Sequence, residues 1–227
     1  MINLYYNYYY SDNSNRQKDI DFCFDKNLTI ETYDRIYLII SESDYKILID
    51  STNINFIEKC AVGKIIVVFF EKQPSFKNFI DIIDQSSDED DINIFINSDC
   101  YACDKTIENV CNIQKDEMWC LQKYNITDEY FNLFFEDVSC SQDVWIFRGK
   151  PKEIKNIDFY FGRPGCDNRF AYESEVSGYT LLNPSLDIKF YHYHLSEIRT
   201  CPYEHWEEYR IPEPYKFIEP TKIIQEL

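Results

Sequence analysis

Short apolar runs alternate with amphipathic stretches along most of the chain, and this pattern predicts strands alternating with helices. The apolar runs are too short for helices and are rich in β-branched or aromatic residues, as is typical of strands. Two of them, Ile36–Ile40 and Ile65–Phe70, are apolar throughout, which indicates strands buried on both faces of a parallel sheet. The predicted strands are Ile2–Tyr6, Arg35–Ile40, Lys64–Phe69, Ile92–Ile96, Met118–Tyr124, Asp143–Phe147 and Ile188–Tyr193.

Four segments between these strands have apolar residues at helical spacing. In one of them Ser75 is a suitable N-cap, and Gly178 follows another as a helix stop. The predicted helices are Asn15–Lys26, Ser75–Ile83, Cys103–Val110 and Asp167–Ser177. Alternating strands and helices predict a layered α/β domain with a mostly parallel central sheet, in which ligands bind at the carboxyl ends of the strands.

The end of the chain has a different character, because Pro212, Pro214 and Pro220 follow Pro202. Repeated prolines favour an extended path over helix or central strand. The sequence therefore predicts one domain over residues 1–201 and an extended segment over residues 202–227, packed on that domain.

Composition and charge narrow the range of functions that the chain could have. The 227 residues are 44% hydrophobic, and 40 acidic residues against 23 basic ones give a net charge of −17. Such a chain is repelled by phosphate backbones and by anionic membrane surfaces, so we expect neither nucleic-acid binding nor docking on such a membrane. Because no apolar run is long enough to cross a bilayer, we also expect no membrane span. Nine cysteines, with no signal peptide or long apolar run, predict a cytoplasmic protein with mostly free thiols. A homodimer stays open.

Familiar nucleotide and hydrolase motifs do not occur in the sequence. It has no G-x-G-x-x-G, no Walker A loop, no G-x-S-x-G and no H-E-x-x-H. Dinucleotide enzymes, P-loop enzymes, serine hydrolases and zincins therefore lose most of their support.

Polar residues capable of chemistry lie at the ends of three predicted elements. The strand Ile92–Ile96 runs into Asn97, Ser98 and Asp99, so a carboxylate lies at the ligand-binding edge, where with a divalent cation it could hold a diphosphate. A plain strand-ending turn uses the same residue types. Asp167 begins a predicted helix, where the helix dipole stabilises an ionised carboxylate. That position suits a general base and also an ordinary N-cap.

The third group is the histidine pair of the last predicted strand. His192 and His194 are two of only three histidines in the chain, and their spacing puts both imidazoles on one face of the strand. Two imidazoles at a strand end suit a metal site, or one could contact a phosphate. Two partly buried, hydrogen-bonded histidines packed among tyrosines would give the same pattern.

Together these three groups resemble the GT-A-fold glycosyltransferases, which use nucleotide sugars and carry an Asp-x-Asp metal motif. Ile92–Asp99 resembles the strand that leads into that motif. Gly178, eleven residues after Asp167, lies in a Ser-Gly-Tyr turn similar to one in the family, and His192 follows fourteen residues later. Many members place a metal-binding histidine there. The segment 141–149 also resembles short glycosyltransferases of unassigned specificity.

Two positions depart from the family pattern. Asn97 has an amide where the metal motif has its first carboxylate, and Cys166 stands where a glutamate is common before the catalytic aspartate. These differences put the dependence on metal and the activity itself in question.

The resemblance implies a role for each candidate residue. Asp99, His192 and His194 would bind Mn²⁺ or Mg²⁺, and Asp167 would deprotonate the acceptor hydroxyl and so give inversion. Residues implied to bind a UDP- or GDP-sugar are Glu42, Asn97, Asp99, Arg148 and Arg169, and those implied to contact a glycan or protein acceptor are Asp143 and Trp145. Arg16 and Arg163 are weaker candidates for phosphate contact, since a solvated surface position is expected for both.

Two other functions stay open beside the glycosyltransferase. An inactive GT-A-like module would bind a nucleotide or glycan without transferring a sugar, and its polar residues would not converge. An unrelated metal-dependent nucleotidyltransferase would need a second carboxylate beside Asp99, for which Asp104 is the nearest candidate in the sequence.

Overall fold

A computed structural model describes residues 1–50, 54–61, 63–128, 130–135, 141–199 and 203–223. Its strands are β1 (Ile2–Asn7), β2 (Arg35–Ser41), β3 (Ile65–Phe70), β4 (Ile92–Ile96), β5 (Cys100–Tyr101), β6 (Glu117–Leu121), β7 (Lys123–Ile126), β8 (Leu133–Phe134), β9 (Val144–Arg148), β10 (Thr180–Leu182) and β11 (Phe190–Tyr193). Its helices are α1 (Ser14–Leu28), α2 (Glu42–Asp50), α3 (Ile54–Cys60), α4 (Phe76–Ser86), α5 (Asp104–Asn109), α6 (Cys166–Val176) and α7 (Trp206–Tyr209).

Seven strands form the central sheet in the order β10-β6-β9-β4-β1-β2-β3. The pairs β1–β2, β1–β4, β2–β3 and β6–β10 are parallel, and only β9 runs antiparallel to its neighbours β4 and β6. The predicted α/β fold with a mostly parallel sheet and flanking helices is therefore confirmed. Because β1, β2, β3 and β4 run the same way, their carboxyl ends share one edge of the sheet.

Burial on both faces, which the continuously apolar runs predict, is confirmed for β2, a strand in the interior of the sheet. It is wrong for β3, which lies at the edge of the sheet and leaves Ile66 40% and Phe69 47% exposed, because an edge strand has a neighbouring strand on one side only.

In the interior of the sheet both faces are covered. Leu4 and Tyr6 of β1 point to one face, where they join Ile20 and Phe24 of α1 in a core cluster. Tyr5 points to the other face and belongs to a second cluster. That second cluster also contains Phe76 and Phe79 of α4, Phe95 of β4, Trp145 of β9 and Phe170 of α6.

A second, four-stranded sheet has the order β5-β11-β7-β8. The predicted strand Met118–Tyr124 divides at Gln122 into β6 and β7, which belong to different sheets. The backbone N–H of Gln122 leaves the ladder and donates to the Asn183 side chain at 3.3 Å. This division carries Lys123 and Asn125 of β7 next to β11, which contains His192 and ends one residue before His194.

Helices α2 and α3 are absent from the sequence prediction. Only Leu48 of α2 is buried, so the helix lacks the broad apolar stripe on which sequence periodicity depends. The four predicted helices are present as α1, α4, α5 and α6, with ends that shift by one to three residues.

The predicted boundary at residues 201 and 202 lies outside the described residues. From residue 203 the chain forms a 3₁₀ turn and the short α7, and then runs without regular structure along the domain. The Ile211 N–H donates to Pro164 O at 2.9 Å and the Lys216 N–H to Asn168 O at 3.0 Å. The Ile218 side chain is buried. The described part of this segment therefore packs against the start of α6.

Two further expectations concern thiols and membranes. The cysteines within the described ranges, Cys23, Cys60, Cys100, Cys103, Cys111, Cys120 and Cys166, all have free thiols. None of the helices in those ranges combines the length and the apolar character that crossing a bilayer requires.

Candidate functional site

Asp99 lies in the short connection that leaves β4 for β5, at the carboxyl edge of the central sheet. The turn closes when the Cys100 N–H donates to Asn97 O at 3.1 Å, and the Tyr193 N–H donates to Asp99 O at 2.9 Å. These bonds join the turn to β11. The Asp99 side chain is buried, so its carboxylate needs charged or hydrogen-bonding partners.

The two predicted histidines lie beside this carboxylate. Nε2 of His192 lies 3.2 Å from Oδ2 of Asp99, and Nδ1 of His194 lies 3.6 Å from the same oxygen. Each ring is held by its other nitrogen, with His192 Nδ1 at 2.9 Å from Asn125 Oδ1 and His194 Nε2 at 2.8 Å from Ile198 O. Since a carbonyl oxygen can only accept, His192 Nδ1 and His194 Nε2 donate in these contacts, and the other nitrogen of each ring, which has a free lone pair when the ring is neutral, faces the carboxylate.

The donor set fits a divalent transition-metal ion. The ligand atoms of Asp99, His192 and His194 all lie within 4.8 Å of one another, and two imidazoles with one carboxylate are ligands that such ions accept. Burial and the nearby Arg16 charge lower the pKa of His194 to about 4, so this ring is neutral at pH 7, as metal binding requires. Burial opposes ionisation of Asp99, but His192 and Arg16 outweigh it and hold the pKa of Asp99 well below its usual range.

Arg16 completes the surroundings of Asp99. Its Nη2 lies 2.8 Å from Asp99 Oδ2, and its Nε donates to the Tyr9 hydroxyl at 3.0 Å. The side chain is buried, so the expectation of a solvated surface position for Arg16 is wrong. The apolar face of α1 packs on the sheet, and the side chain therefore points from the first turn of α1 into the edge of the sheet.

A second polar group lies beside the first, around Asp143. Oδ2 of Asp143 lies 2.9 Å from the Lys123 ammonium, and Oδ1 accepts a hydrogen bond from the Asn97 amide at 2.7 Å. Burial works against the Lys123 charge, but the Asp143 carboxylate outweighs it and raises the pKa of Lys123 above its usual value. Asn97 thus contacts the Asp143 carboxylate in this structure.

Asp167 lies in the first turn of α6, as its sequence pattern predicts. Its carboxylate accepts hydrogen bonds from the backbone N–H groups of Gln142 at 3.1 Å and Asn168 at 2.9 Å. Burial, with a further contribution from the Asp143 charge, raises the pKa of Asp167 to about 6 in spite of these bonds. The Lys123 charge acts on the pKa of both Asp99 and Asp167, so both carboxylates lie within electrostatic reach of one amine.

Two cavities open along this edge of the sheet. One, of about 490 Å³, contains both His192 and His194 in its wall, together with Asn125, Ile126, Thr127, Leu195, Glu197 and Arg199. The other, of about 300 Å³, lies at the carboxyl ends of β1, β2 and β3, and its wall consists of Asn7, Tyr8, Tyr9, Tyr10, Ser41, Ser43, Asp44, Glu71, Lys72, Gln73 and Pro74. Tyr9 belongs to this second wall and also accepts from Arg16, which therefore lies between the smaller cavity and Asp99.

The structure does not bring every predicted residue into this cleft. Arg148 is at the far end of β9, where it pairs with Ile92 and donates to the carbonyls of Asp90, Cys111 and Ile113. This corrects its assignment to the nucleotide site, because β9 runs antiparallel to β4 and carries Arg148 away from Asp99. Trp145 is buried between Phe76, Phe95 and Phe170, so its side chain packs in the core and is not available to an acceptor.

Two further predicted contacts lie at the margin. Arg169 pairs with Glu173 at 2.7 Å and donates to the carbonyls of Pro212 and Glu213, so its guanidinium attaches the C-terminal segment to α6. Glu42 begins α2 with an exposed side chain. Its neighbours Ser41, Ser43 and Asp44 form part of the smaller cavity wall, whereas Glu42 is not among the described residues of that wall.

Sequence reasoning missed two residues that the fold brings to the site, Lys123 and Asn125. Lys123 could have been found from the sequence, because it is a single charge inside the apolar run Met118–Tyr124. A lysine is almost never buried without a partner, so this position indicates a nearby carboxylate. Asn125 could not have been found in this way, since an asparagine after a strand is common in any turn.

Comparisons of the sequence alone find no relative: no protein-family model matches the chain, and no curated protein matches it. Comparison of the structures gives clear matches at low identity. The chain superposes on a structure of residues 1–349 of TarS from S. aureus with a TM-score of 0.56 at 13% identity, covering 84% of this chain and 60% of that one. It therefore spans about three fifths of that structure.

Two other solved structures give similar matches. The mannosyltransferase PcManGT from Pyrobaculum calidifontis, in complex with GDP-Man and Mn²⁺, has a TM-score of 0.53 at 12% identity, with 91% of this chain and 59% of that one covered. The 4-diphosphocytidyl-2C-methyl-D-erythritol synthase from Anaerococcus prevotii has a TM-score of 0.52 at 13% identity, with 91% and 93% covered. The chain thus has a GT-A-like α/β fold, which glycosyltransferases and nucleotidyltransferases share.

Proposed function

We propose that this protein is a glycosyltransferase that moves a sugar from a nucleoside-diphosphate sugar to an acceptor hydroxyl, assisted by a divalent cation. The observation that carries the proposal is the convergence of Asp99, His192 and His194 at the carboxyl edge of the sheet. An inactive module predicts polar residues that do not converge, so the position of both imidazoles against this one carboxylate supports an active site.

The proposed donor site joins the two cavities. The nucleoside would enter the 300 Å³ cavity, where Tyr8, Tyr9 and Tyr10 offer aromatic rings and Ser41 and Asp44 offer polar groups. The diphosphate would then lie toward Arg16 and Asp99, and the sugar toward the 490 Å³ cavity beside His192. A UDP- or GDP-sugar fits this proposal, and the structural likeness to a mannosyltransferase complexed with GDP-Man and Mn²⁺ supports it.

In the proposed reaction Asp167 is the general base. Its carboxylate accepts the proton of the acceptor hydroxyl while that oxygen bonds to the anomeric carbon and the bond from that carbon to the diphosphate breaks. The nucleoside diphosphate leaves, and attack from the opposite side gives inversion. A pKa of about 6 suits this role, because such a base is largely ionised at pH 7 yet still basic enough to take a proton.

The other residues of the cleft bind and orient. A cation held by Asp99, His192 and His194, Mn²⁺ or Mg²⁺ in this proposal, would offset the charge of the diphosphate leaving group. Asp143, held by Lys123 and Asn97, would accept hydrogen bonds from sugar hydroxyls. A glycan or protein acceptor, a cytoplasmic location and a homodimer stay predictions from the sequence.

A metal-dependent nucleotidyltransferase is the second candidate, because the chain spans 93% of the matched erythritol synthase but only about three fifths of the two matched glycosyltransferase structures. That reaction would use a nucleoside triphosphate and release pyrophosphate. Asp104, the second carboxylate expected for it, instead accepts hydrogen bonds from the Glu31 N–H and the Thr32 hydroxyl, at 3.0 and 3.1 Å. Asp104 is thus engaged with Glu31 and Thr32, and a second carboxylate from this residue is not supplied to Asp99. This supports the glycosyltransferase over the nucleotidyltransferase.

Thermal unfolding with a panel of UDP-, GDP- and CDP-sugars and of nucleoside triphosphates, each with and without Mn²⁺, tests this proposal. Binding to the native state raises the melting temperature by mass action. A rise with one donor that needs Mn²⁺, is lost in Asp99→Asn and is retained in Asp84→Asn, an exposed carboxylate of α4, would support it. A rise with a nucleoside triphosphate and no sugar nucleotide would favour the nucleotidyltransferase, and no rise with any of them would reject both.

A further inference from the structure

The Arg16 guanidinium lies next to Asp99, where a bound metal cation would otherwise balance the negative charge of the carboxylate. Its Nη2 lies 2.8 Å from Asp99 Oδ2, and His192 Nε2 and His194 Nδ1 approach this same oxygen. One oxygen therefore serves all three contacts. A divalent ion held by the carboxylate and both imidazoles would lie against the guanidinium, and two cations in contact in a buried site repel each other strongly.

The guanidinium also has an unused donor. Nη1 of Arg16 is buried and has no hydrogen-bond partner within the described ranges, and Oδ2 of Asp19 lies 4.0 Å from it, beyond hydrogen-bond distance. A buried N–H group without a partner is costly and uncommon in native structures. An anion with several acceptor oxygens would supply the missing partner, because the planar guanidinium matches phosphate geometry.

The contacts of Arg16 place it between the two cavities. Its Nε donates to the hydroxyl of Tyr9, and Tyr9 forms part of the wall of the 300 Å³ cavity. On the other side it reaches Asp99, next to the histidines of the 490 Å³ cavity. A diphosphate that joins a nucleoside in the first cavity to a sugar in the second would have to pass Arg16.

We propose that Arg16 is an exchangeable counter-ion, which neutralises Asp99 until a divalent cation displaces it and which then binds the diphosphate of the donor. The exchange makes cation and diphosphate bind together, since the cation frees the guanidinium and the anion gives it a new partner. The diphosphate half of this inference rests on the proposed function, whereas the exchange at Asp99 does not.

Mn²⁺ binding without nucleotide, measured by electron paramagnetic resonance and calorimetry, tests the exchange on wild type, Arg16→Met and Arg16→Gln. Removing the competing guanidinium should tighten Mn²⁺ binding at least tenfold in both variants. Lys18→Met, which removes an exposed positive charge from the same helix, should leave it unchanged. Unchanged or weaker binding in folded Arg16 variants, or no Mn²⁺ binding by any of the proteins, would overturn the exchange.

Binding of UDP and GDP at saturating Mn²⁺ tests the second half. Arg16→Gln should weaken the preferred nucleotide at least tenfold, and Lys18→Met should not. If the nucleotide binds Arg16→Gln as tightly as wild type, Arg16 has no diphosphate role. If wild type binds neither nucleotide, the proposed function fails, while the Mn²⁺ measurement still decides the exchange. Circular dichroism identifies any variant that fails to fold, and the other Arg16 substitution then supplies the result.

Discussion

The ammonium of Lys123 lies 2.9 Å from Oδ2 of Asp143, in a cleft where the Asp143 side chain is only 9% exposed and that of Lys123 20%. The pair has contacts toward both parts of the proposed site: Asp143 accepts a hydrogen bond from Asn97, two residues before Asp99, and directly follows Gln142, whose N–H donates to the proposed base Asp167. It therefore links the two parts of the proposed site.

Breaking this pair should cost stability. Lys123→Met leaves the Asp143 carboxylate buried with the Asn97 amide but without its opposite charge, and removing one member of a buried ion pair costs about 3 kcal/mol in the free energy of unfolding. Urea unfolding measures this cost. The double variant Lys123→Met/Asp143→Asn should recover part of it. A double variant as unstable as the sum of the two single variants would show that the ion pair contributes no coupling.

Replacing either histidine of the Asp99 cluster should weaken Mn²⁺ binding. His192→Ala and His194→Ala each remove one nitrogen ligand, and we expect a loss of about tenfold or more, as for groups that orient or bind a metal. Calorimetry with Mn²⁺ and then Zn²⁺ measures the loss, and Zn²⁺ should bind wild type more tightly than Mn²⁺ does. His205→Ala is the matched control, since this third histidine is 51% exposed and pairs with Glu208. Equal losses in all three variants would argue against the cluster as the metal site.

The pH dependence of sugar transfer should follow Asp167. Its pKa is raised to about 6, chiefly by burial, and the base must be ionised to accept a proton. The value of kcat/KM should therefore be constant above pH 7 and fall about tenfold per pH unit well below pH 6. Asp167→Asn should lower kcat about 100-fold or more.

Glu175→Gln provides the control for this experiment, because Glu175 is an exposed carboxylate on the same helix. It should keep both the rate and the acid limb of the profile. An unchanged acid limb in a still active Asp167→Asn variant would exclude Asp167 as the base.

Position 165, immediately before α6, should tolerate only glycine. Gly165 has φ of +77°, and a Cβ atom there would lie 2.6 Å from the Tyr215 hydroxyl of the C-terminal segment. Gly165→Ala should therefore destabilise the protein by about 1–3 kcal/mol, from the left-handed backbone and the displaced tyrosine. Gly63→Ala is the control, because a Cβ atom at that position meets nothing within 4 Å. Equal midpoints of urea unfolding for the two variants would contradict this account.

Local pattern was enough to predict most of the architecture. The buried strands β1, β2 and β4 are short apolar runs rich in β-branched or aromatic residues, and the helices α1 and α4 have apolar residues at helical spacing. Helix α2 escaped the same reasoning, because it buries a single residue, Leu48. The mostly parallel sheet follows from the alternation of strands and helices, without any knowledge of contacts between them.

The sequence by itself also determined where chemistry is available: carboxylates at Asp99 and Asp167, and two imidazoles two residues apart at His192 and His194. Only the tertiary structure decided which of these meet and what else joins them. Arg148 and Trp145 lie away from the site because sheet pairing fixes the direction of a strand and the face on which each side chain lies. Arg16 lies in the site because α1 packs on the sheet, and Lys123 because its predicted strand is divided between two sheets. The physical reason is that spacing along the chain fixes only local direction, whereas the distance between Asp99 and a partner 83 or more residues away depends on how the elements pack.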